Sequence, residues 1–219
     1  MIDRKAHALE LQAFDAEYRT GALVVAGMDE VGRGPLAGNV VTACVVIPEN
    51  PLIEWIDDSK KLSESRREKV YDQIMAHALY VGIGQISPEE IDRINILQAT
   101  KKAMRIAAES VPADVFLIDA VTGLGLKGRE VAVIHGDASS YSIAAASIVA
   151  KVTRDRMMEE IRERLGTDVG SGYPSDRHTM GFIERWIEEN GKAPEYVRCS
   201  WEPVRVMLSR RSNTKISDW

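Results

Sequence analysis

The chain has 219 residues, a formal net charge of −5, 45% hydrophobic residues and 28% charged residues. These values are ordinary for a globular protein and exclude an intrinsically disordered or collagen-like chain. Cys44 and Cys199 lie too far apart for a disulfide framework or a zinc spacing, so we expect both to be reduced packing residues. No apolar run reaches the roughly 18 residues of a transmembrane helix, and the first residues lack the apolar core of a signal peptide. We therefore expect a cytoplasmic protein that does not bind membranes.

The first predicted elements are two runs rich in β-branched residues, 22–28 and 40–47, which a glycine-containing turn joins. This pattern predicts an antiparallel hairpin. A Ser-x-x-Glu capping box that begins at Ser65 predicts a helix ending near residue 79. Residues 80–86 are predicted to form a third strand.

The next elements alternate between helix and strand. The sequence Ser-Pro-Glu-Glu at 87–90 combines an N-cap serine with a proline at the first helical position. It predicts a helix whose apolar stripe contains Ile91, Ile94, Leu97 and Met104. Apolar runs at 115–118 and 131–134 are predicted strands. Later helices are predicted at 142–165, 181–189 and 203–210.

Strands that alternate with helices predict an α/β fold with a mixed sheet flanked by helices. The loop 166–177 contains three glycines and a proline, so we expect a boundary near Gly170. A small helical C-terminal part would follow that boundary.

Carboxylates follow three of the predicted strands. Four such groups cannot share a pocket without a counter-charge, and oxygen ligands without His or Cys favour Mg²⁺ or Mn²⁺. Strand ends are common ligand sites in α/β sheets, so the groups are expected to converge and to hold two ions about 3.5–4 Å apart. Because neighbours on a regular strand point to opposite faces, the first two can share a site only if their strand bends or ends there. The four residues are Asp29, Glu30, Asp119 and Asp137.

The turn Gly32-Arg33-Gly34 follows the first acidic pair directly. Residues without side chains let backbone N–H groups approach a phosphate or a sugar hydroxyl. The turn beside the carboxylates therefore indicates phosphate chemistry.

Six ordered segments between residues 27 and 176 resemble the ribonuclease HII family. They are GMDEVGRGPLAG, DDSKKLS, NILQATKKAM, LIDA, HGDASSYSIAAASIVAKVTRD and SGYPSD. SGYPSD and the later VRCSW are similar to archaeal members, whereas GRGPLAG and IAAASIVAKV are equally similar to bacterial members.

The resemblance implies an RNase H-like fold. With the boundary near Gly170, we expect an RNase H-like catalytic domain at 1–170 and a helical extension at 171–219. It also implies an endonuclease that cleaves RNA in RNA/DNA hybrids and single ribonucleotides in duplex DNA, leaving 3′-hydroxyl and 5′-phosphate ends. The four carboxylates above would be its catalytic metal ligands, for two Mg²⁺ or Mn²⁺ ions.

The resemblance further implies which residues contact the substrate. Gly32, Arg33 and Gly34 would read the ribose 2′-hydroxyl together with Tyr173, because that hydroxyl distinguishes RNA from DNA. Lys60 and Lys151 fit phosphate contacts. The negative net charge is unusual for a duplex-binding enzyme, so such local basic groups would have to supply the attraction.

Three alternatives stay open from the residues alone. Another RNase H-like two-metal nuclease, such as a resolvase or transposase core, would use similar carboxylates on DNA. A nucleic-acid binding module with an inactive site, or a structural Ca²⁺ site, would also carry acidic residues, although no D-x-D-x-D-G loop is present. A sliding clamp is a candidate partner without a clear motif in the tail 209–219, and a monomer is expected from the resemblance.

Overall fold

The computed structural model describes residues 3–21 and 24–214. Its five strands form one mixed sheet in the order β3-β2-β1-β4-β5. β1 is antiparallel to β2, which confirms the predicted hairpin, and β4 is parallel to both β1 and β5. Residues 22 and 23 of the predicted first strand lie outside the described residues. The strands are β1 (Val25–Val31), β2 (Val40–Val46), β3 (Tyr80–Ile86), β4 (Val115–Asp119) and β5 (Arg129–Val133).

The helices partly follow the predicted pattern. Ser87 caps a helix with Pro88 in its first turn, as predicted, whereas α1 was not anticipated. Two short 3₁₀ turns, Ser59–Lys61 and Gly136–Ala138, accompany the helices. The helices are α1 (Arg4–Ala16), α2 (Glu64–His77), α3 (Pro88–Ile94), α4 (Ile96–Glu109), α5 (Tyr141–Leu165), α6 (Arg177–Asn190) and α7 (Glu202–Thr214).

Two helix predictions are wrong in detail. Ser63, not Ser65, caps α2, because its hydroxyl accepts a hydrogen bond from the Arg66 amide. The single helix predicted from residue 87 is broken at Asn95, whose φ of 68° ends α3. The Asn95 side chain then accepts the Gln98 amide and caps α4, so one asparagine both ends a helix and starts the next.

The described residues form two compact units. The first comprises the described residues within Met1–Val31, Val41–Gln85 and Thr100–Thr153, and the second comprises those within Gly32–Val40, Ile86–Ala99 and Arg154–Trp219. The boundary near residue 170 stays a prediction about domains along the chain.

The first unit buries both faces of the sheet. Alternation along β2 sends Ala43 and Val45 into a cluster with α1, α2 and α5, and sends Cys44 and Val46 into a second cluster with α4. At Gly27 of β1 a Cβ would lie 2.0 Å from the backbone of Ser142, so only glycine lets α5 pack this closely on the strand.

The core of the second unit is made by α6, α7 and the last part of α5. Phe182, Ile183 and Val204 pack there with Met158 and Leu36. Cys199 belongs to this unit and is exposed, so the prediction that it is a packing residue is wrong, whereas Cys44 is buried and free as expected. Within the described residues, no helix combines the length and apolar character needed to cross a membrane.

Candidate active site

The predicted acidic residues meet at the carboxyl ends of three parallel strands. Pairing between β1 and β4 stops at Met28 and Ile118, and Asp29 and Asp119 follow these two residues. Asp119 in turn pairs with Val133 of β5. Asp137 lies shortly after β5, in the turn Gly136–Ala138. The parallel register therefore collects carboxylates that are far apart in the sequence.

The strand does not end at the acidic pair, and it keeps its register with β2 there. Asp29, Glu30 and Val31 lie inside β1 and stay paired with β2. The pairing of β1 with β4, in contrast, stops at Met28. The Glu30 amide donates a 2.7 Å hydrogen bond to Oδ1 of Asp29, so the Asp29 carboxylate lies against the backbone of its own strand.

The electrostatics of Asp29 show that the carboxylates act on one another. Burial raises the pKa of Asp29 well above its ordinary value, and the nearby charges of Glu30 and Asp119 raise it further. Hydrogen bonds from the Glu30 amide and the Ser147 hydroxyl act in the opposite direction. A buried carboxylate with two acidic neighbours is a site that a cation would stabilise.

Asp119 extends this cluster to Asp137. Burial raises the pKa of Asp119, the charge of Asp137 adds to the rise, and a hydrogen bond from the Gly136 amide opposes it. That amide lies 2.8 Å from Oδ1 of Asp119. The charges of Glu30 and Asp119 thus raise the pKa of Asp29, and the charge of Asp137 raises the pKa of Asp119.

Lys60 lies beside the same cluster. Its Nζ donates a 3.4 Å hydrogen bond to Oδ2 of Asp137. Burial opposes the change, but the charges of Asp137, Asp58 and Asp29 raise the pKa of Lys60. The lysine side chain is 79% exposed, so its charge is also accessible from solvent.

Two serines connect the turn Ser59–Lys61 to α5, and the sequence analysis did not identify them. The hydroxyls of Ser59 and Ser147 are 2.8 Å apart and both are buried. The Ser147 hydroxyl also lowers the pKa of Asp29, so this serine lies between the turn that carries Lys60 and the acidic strand. The only sequence signal was one polar residue inside the Ala-rich start of α5. Lys151 lies farther along α5 and is half-buried.

The donor chemistry of the cluster suits a hard divalent cation, because it offers carboxylate oxygens. Within residues 3–21 and 24–214, however, no three His, Cys, Asp or Glu side chains are spaced to hold a metal ion. The carboxylate oxygens are of the right chemical type for a metal ion. To bind the same ion, the side chains would have to rotate toward a common point.

The glycine turn lies in the second unit. Gly32 has a φ of 91°, and a Cβ there would lie 2.6 Å from the Asn39 carbonyl oxygen, so only glycine fits. Arg33 and Gly34 are exposed. A Cβ on Gly34 would lie 3.7 Å from a ring carbon of Tyr173, so the structure brings the predicted tyrosine against the turn.

A backbone link holds the tyrosine loop to the segment after the turn. The Gly172 carbonyl accepts hydrogen bonds from the Leu36 amide at 2.7 Å and the Ala37 amide at 3.3 Å. The Tyr173 ring is 39% exposed, and the Arg154 guanidinium carbon lies 5.6 Å from its centroid. One face of the ring is therefore supported while part of it stays accessible.

Arg198 also contacts this turn and was not among the predicted site residues. It is fully buried and donates hydrogen bonds to the carbonyls of Gly32, Arg33 and Gly38. Its only sequence signal was its position in VRCSW, since nothing in a single arginine predicts complete burial.

Comparisons with known proteins agree with the resemblance. The family model described as ribonuclease HII matches residues 26–204. The ribonuclease HII of Bacillus mycoides (strain KBAB4) is 46% identical over 208 residues, which cover 92% of this chain and 78% of that protein.

Two solved structures share the fold. The crystal structure of ribonuclease H2 from Pyrococcus horikoshii OT3 has a TM-score of 0.77 and 30% identity, covering 85% of this chain and 97% of that one. The ribonuclease HII in the PCNA:RNase HII complex from Archaeoglobus fulgidus has a TM-score of 0.74 and 31% identity, covering 82% and 96%. These likenesses confirm the predicted RNase H-like α/β fold. The chain therefore belongs to the ribonuclease HII family, whose members are endonucleases that hydrolyse the RNA strand of RNA/DNA hybrids.

Proposed function

We propose that this chain cleaves RNA in RNA/DNA hybrids and at single ribonucleotides within duplex DNA, using two Mg²⁺ or Mn²⁺ ions and leaving 3′-hydroxyl and 5′-phosphate ends. The observation that carries the proposal is that one edge of the sheet carries four carboxylates, two in β1, one at the end of β4 and one in the turn after β5. Such a site uses oxygen ligands that suit these ions.

The four carboxylates have different positions and therefore different roles. Asp29 is the most buried of them, and its pKa is raised by the charges of both Glu30 and Asp119. It would therefore be the ligand that anchors the metal site. Glu30, Asp119 and Asp137 would complete it. When bound, the metals would activate a water and stabilise the leaving oxygen of the phosphodiester.

Lys60 and Lys151 would contact substrate phosphates. The exposed Lys60 ammonium beside Asp137 offers a point charge at the edge of the acidic cluster, where a phosphate would otherwise be repelled. A local positive charge can attract a phosphate although the net charge of the chain is negative, because charges act at short range in salt solution.

The turn Gly32-Arg33-Gly34 and Tyr173 would test the sugar. Two of the turn residues are exposed, and the tyrosine ring lies against the turn. The 2′-hydroxyl both donates and accepts hydrogen bonds, so a backbone turn can recognise it directly.

The test compares three duplexes of one sequence: all DNA, all RNA, and DNA with one ribonucleotide. Each is incubated with wild-type protein, Asp29→Asn, and the control Asp72→Asn, which changes an exposed acidic residue on α2. We expect cleavage of the ribonucleotide duplex with Mg²⁺ or Mn²⁺, none with EDTA, and a loss of roughly 100-fold or more in Asp29→Asn. Absence of cleavage with both metals would refute the proposal, and end-group analysis of the product tests the predicted termini.

A sliding clamp is the proposed protein partner. The similar archaeal structure is described as a PCNA:RNase HII complex, which supports a clamp contact for this chain. Residues 215–219 of the tail, whose sequence contains no clear clamp-binding motif, lie outside the described residues. Surface plasmon resonance of the full chain against the clamp encoded by the same genome tests the contact, and no binding at micromolar clamp would contradict it.

A further inference from the structure

Arg198 is fully buried beneath the glycine turn, and within the described residues it contacts three backbone carbonyls and an aromatic ring. One terminal nitrogen donates to the Arg33 carbonyl at 3.1 Å. The other donates to the carbonyls of Gly32 at 2.5 Å and Gly38 at 2.9 Å. The guanidinium carbon also lies 5.0 Å from the centroid of the Trp201 ring.

This cation is not neutralised by an ion pair. In the described part of the chain, no carboxylate lies within ion-pair distance of Arg198, and its Nε has no hydrogen-bond partner. Burial, and next the charge of Arg154, lower the pKa of Arg198 to about 10, so it remains charged at neutral pH. The charge of Asp92 acts in the opposite direction. A buried charge without an ion-pair partner is costly, and among the described residues three backbone carbonyls accept the direct hydrogen bonds of Arg198.

These bonds set the direction of two peptide groups. In a planar trans peptide, the carbonyl of one residue and the N–H of the next point in opposite directions. The Gly32 carbonyl faces Arg198, so the Arg33 N–H points away from it, and the Arg33 carbonyl orients the Gly34 N–H in the same way. Both N–H groups therefore point away from the buried guanidinium, in a turn whose residues Arg33 and Gly34 are exposed.

We propose that Arg198 is a positioning residue for sugar recognition, which holds the Arg33 and Gly34 amides outward as donors to the ribose 2′-oxygen. The inference rests on the proposed function, because it assumes that the turn reads the ribose. Arginine suits this role since its planar fork reaches several carbonyls at once, whereas the lysine ammonium is a single point.

The test is the affinity ratio between a duplex with one ribonucleotide and the same duplex in DNA, measured in EDTA so that nothing is cleaved. It is determined for wild type, Arg198→Lys, and the control Arg205→Lys, which makes the same change at an exposed arginine of α7. We expect Arg198→Lys to reduce the ratio by about tenfold, as loss of a charge-assisted hydrogen bond allows, and Arg205→Lys to preserve it. A purely structural role would weaken binding of both duplexes equally.

The outcomes separate the two proposals. Failure of wild type to cut the ribonucleotide duplex with Mg²⁺ would refute the proposed function. Cleavage by wild type together with an unchanged ratio in a folded Arg198→Lys, or a wild-type ratio of one, would refute only the role of Arg198.

If Arg198→Lys does not fold, a second measurement on wild type alone tests the inference. In ¹⁵N-labelled wild type, we expect the ribonucleotide duplex to shift the Arg33 and Gly34 amide signals and slow their hydrogen exchange more than the DNA duplex does. Equal effects of both duplexes on these two amides would overturn the inference.

Discussion

Lys60 and Asp137, which are 77 residues apart in the chain, are joined by a hydrogen bond of 3.4 Å from Nζ to Oδ2. The lysine is exposed while the carboxylate is nearly buried. One cation thus stands at the solvent side of an acidic cluster, where an incoming phosphate would meet it first.

We expect Lys60→Met, which keeps the length of the apolar stem, to weaken duplex binding and to lower the slope of log Kd against log salt by about one. The reason is that one phosphate contact, and the counterions it releases, would be lost. The slope is measured by fluorescence anisotropy between low and moderate salt. Lys69→Met, at an exposed lysine of α2, is the matched control, and an equal slope in both variants would contradict a phosphate contact by Lys60.

Asp29→Asn is expected to lose activity yet gain stability without metal at pH 7. Because burial and acidic neighbours raise the pKa of Asp29 in the folded state, this group favours folding at low pH and loses that effect as pH rises through its raised pKa. Its charge is therefore a cost at neutral pH, which asparagine removes. Thermal melting in EDTA should show a higher Tm for Asp29→Asn at pH 7 and a smaller difference toward acid pH.

Divalent metal should reverse this order, since the ion binds the folded wild type preferentially. Adding Mg²⁺ or Mn²⁺ is expected to raise the Tm of wild type more than that of Asp29→Asn. A lower Tm for Asp29→Asn in EDTA at pH 7 would show that the carboxylate is stabilised by contacts other than a metal.

Asp15 fastens α1 to the start of α5. It is buried, accepts a 2.5 Å hydrogen bond from the Ser140 hydroxyl, and accepts the Ser142 hydroxyl and amide at 2.6 and 2.8 Å. We expect Asp15→Ala to lower the free energy of unfolding by about 3 kcal/mol, because it leaves three buried donors without their acceptor. Urea denaturation measures this loss. Glu10→Ala, at an exposed position on α1, should change stability by no more than about 0.5 kcal/mol.

Two glycine-to-alanine changes should have opposite effects. At Gly27 the added Cβ would lie 2.0 Å from the carbonyl carbon of Ser142 and 2.2 Å from the Ile143 nitrogen, so α5 would have to move. We expect Gly27→Ala to cost at least about 3 kcal/mol and to disturb Asp29 two residues on.

Gly181 lies inside α6, where an added Cβ would meet only the end of the flexible Arg185 side chain at 3.4 Å. Gly181→Ala should therefore stabilise the protein by about 0.5–1 kcal/mol. Chemical denaturation of both variants tests the pair, and a stable Gly27→Ala would mean that β1 and α5 are less tightly packed than described.

Local signals in the chain were sufficient for several elements. The strand at 80–86 and the Ser87-Pro88 helix start were predicted correctly because alternation and capping depend on neighbouring residues. The break at Asn95 and the helix α1 were missed. The apolar stripe continues past Asn95 and by itself favours one unbroken helix, so the positive φ of Asn95 was not predicted. The apolar residues of α1 pack against distant segments of the chain, which the local sequence does not indicate.

Residue type and spacing along the chain were enough to predict the family, the alternation of strands and helices, and a set of carboxylates near the ends of three strands. The tertiary structure was needed to establish that Asp29 and Glu30 lie inside a strand beyond its pairing with β4, that Lys60 bonds to Asp137, and that Cys199 is exposed. It also decided that Arg198 is buried under the glycine turn. These facts depend on contacts between segments distant in the chain, where burial and hydrogen-bond partners are set by packing rather than by local propensity.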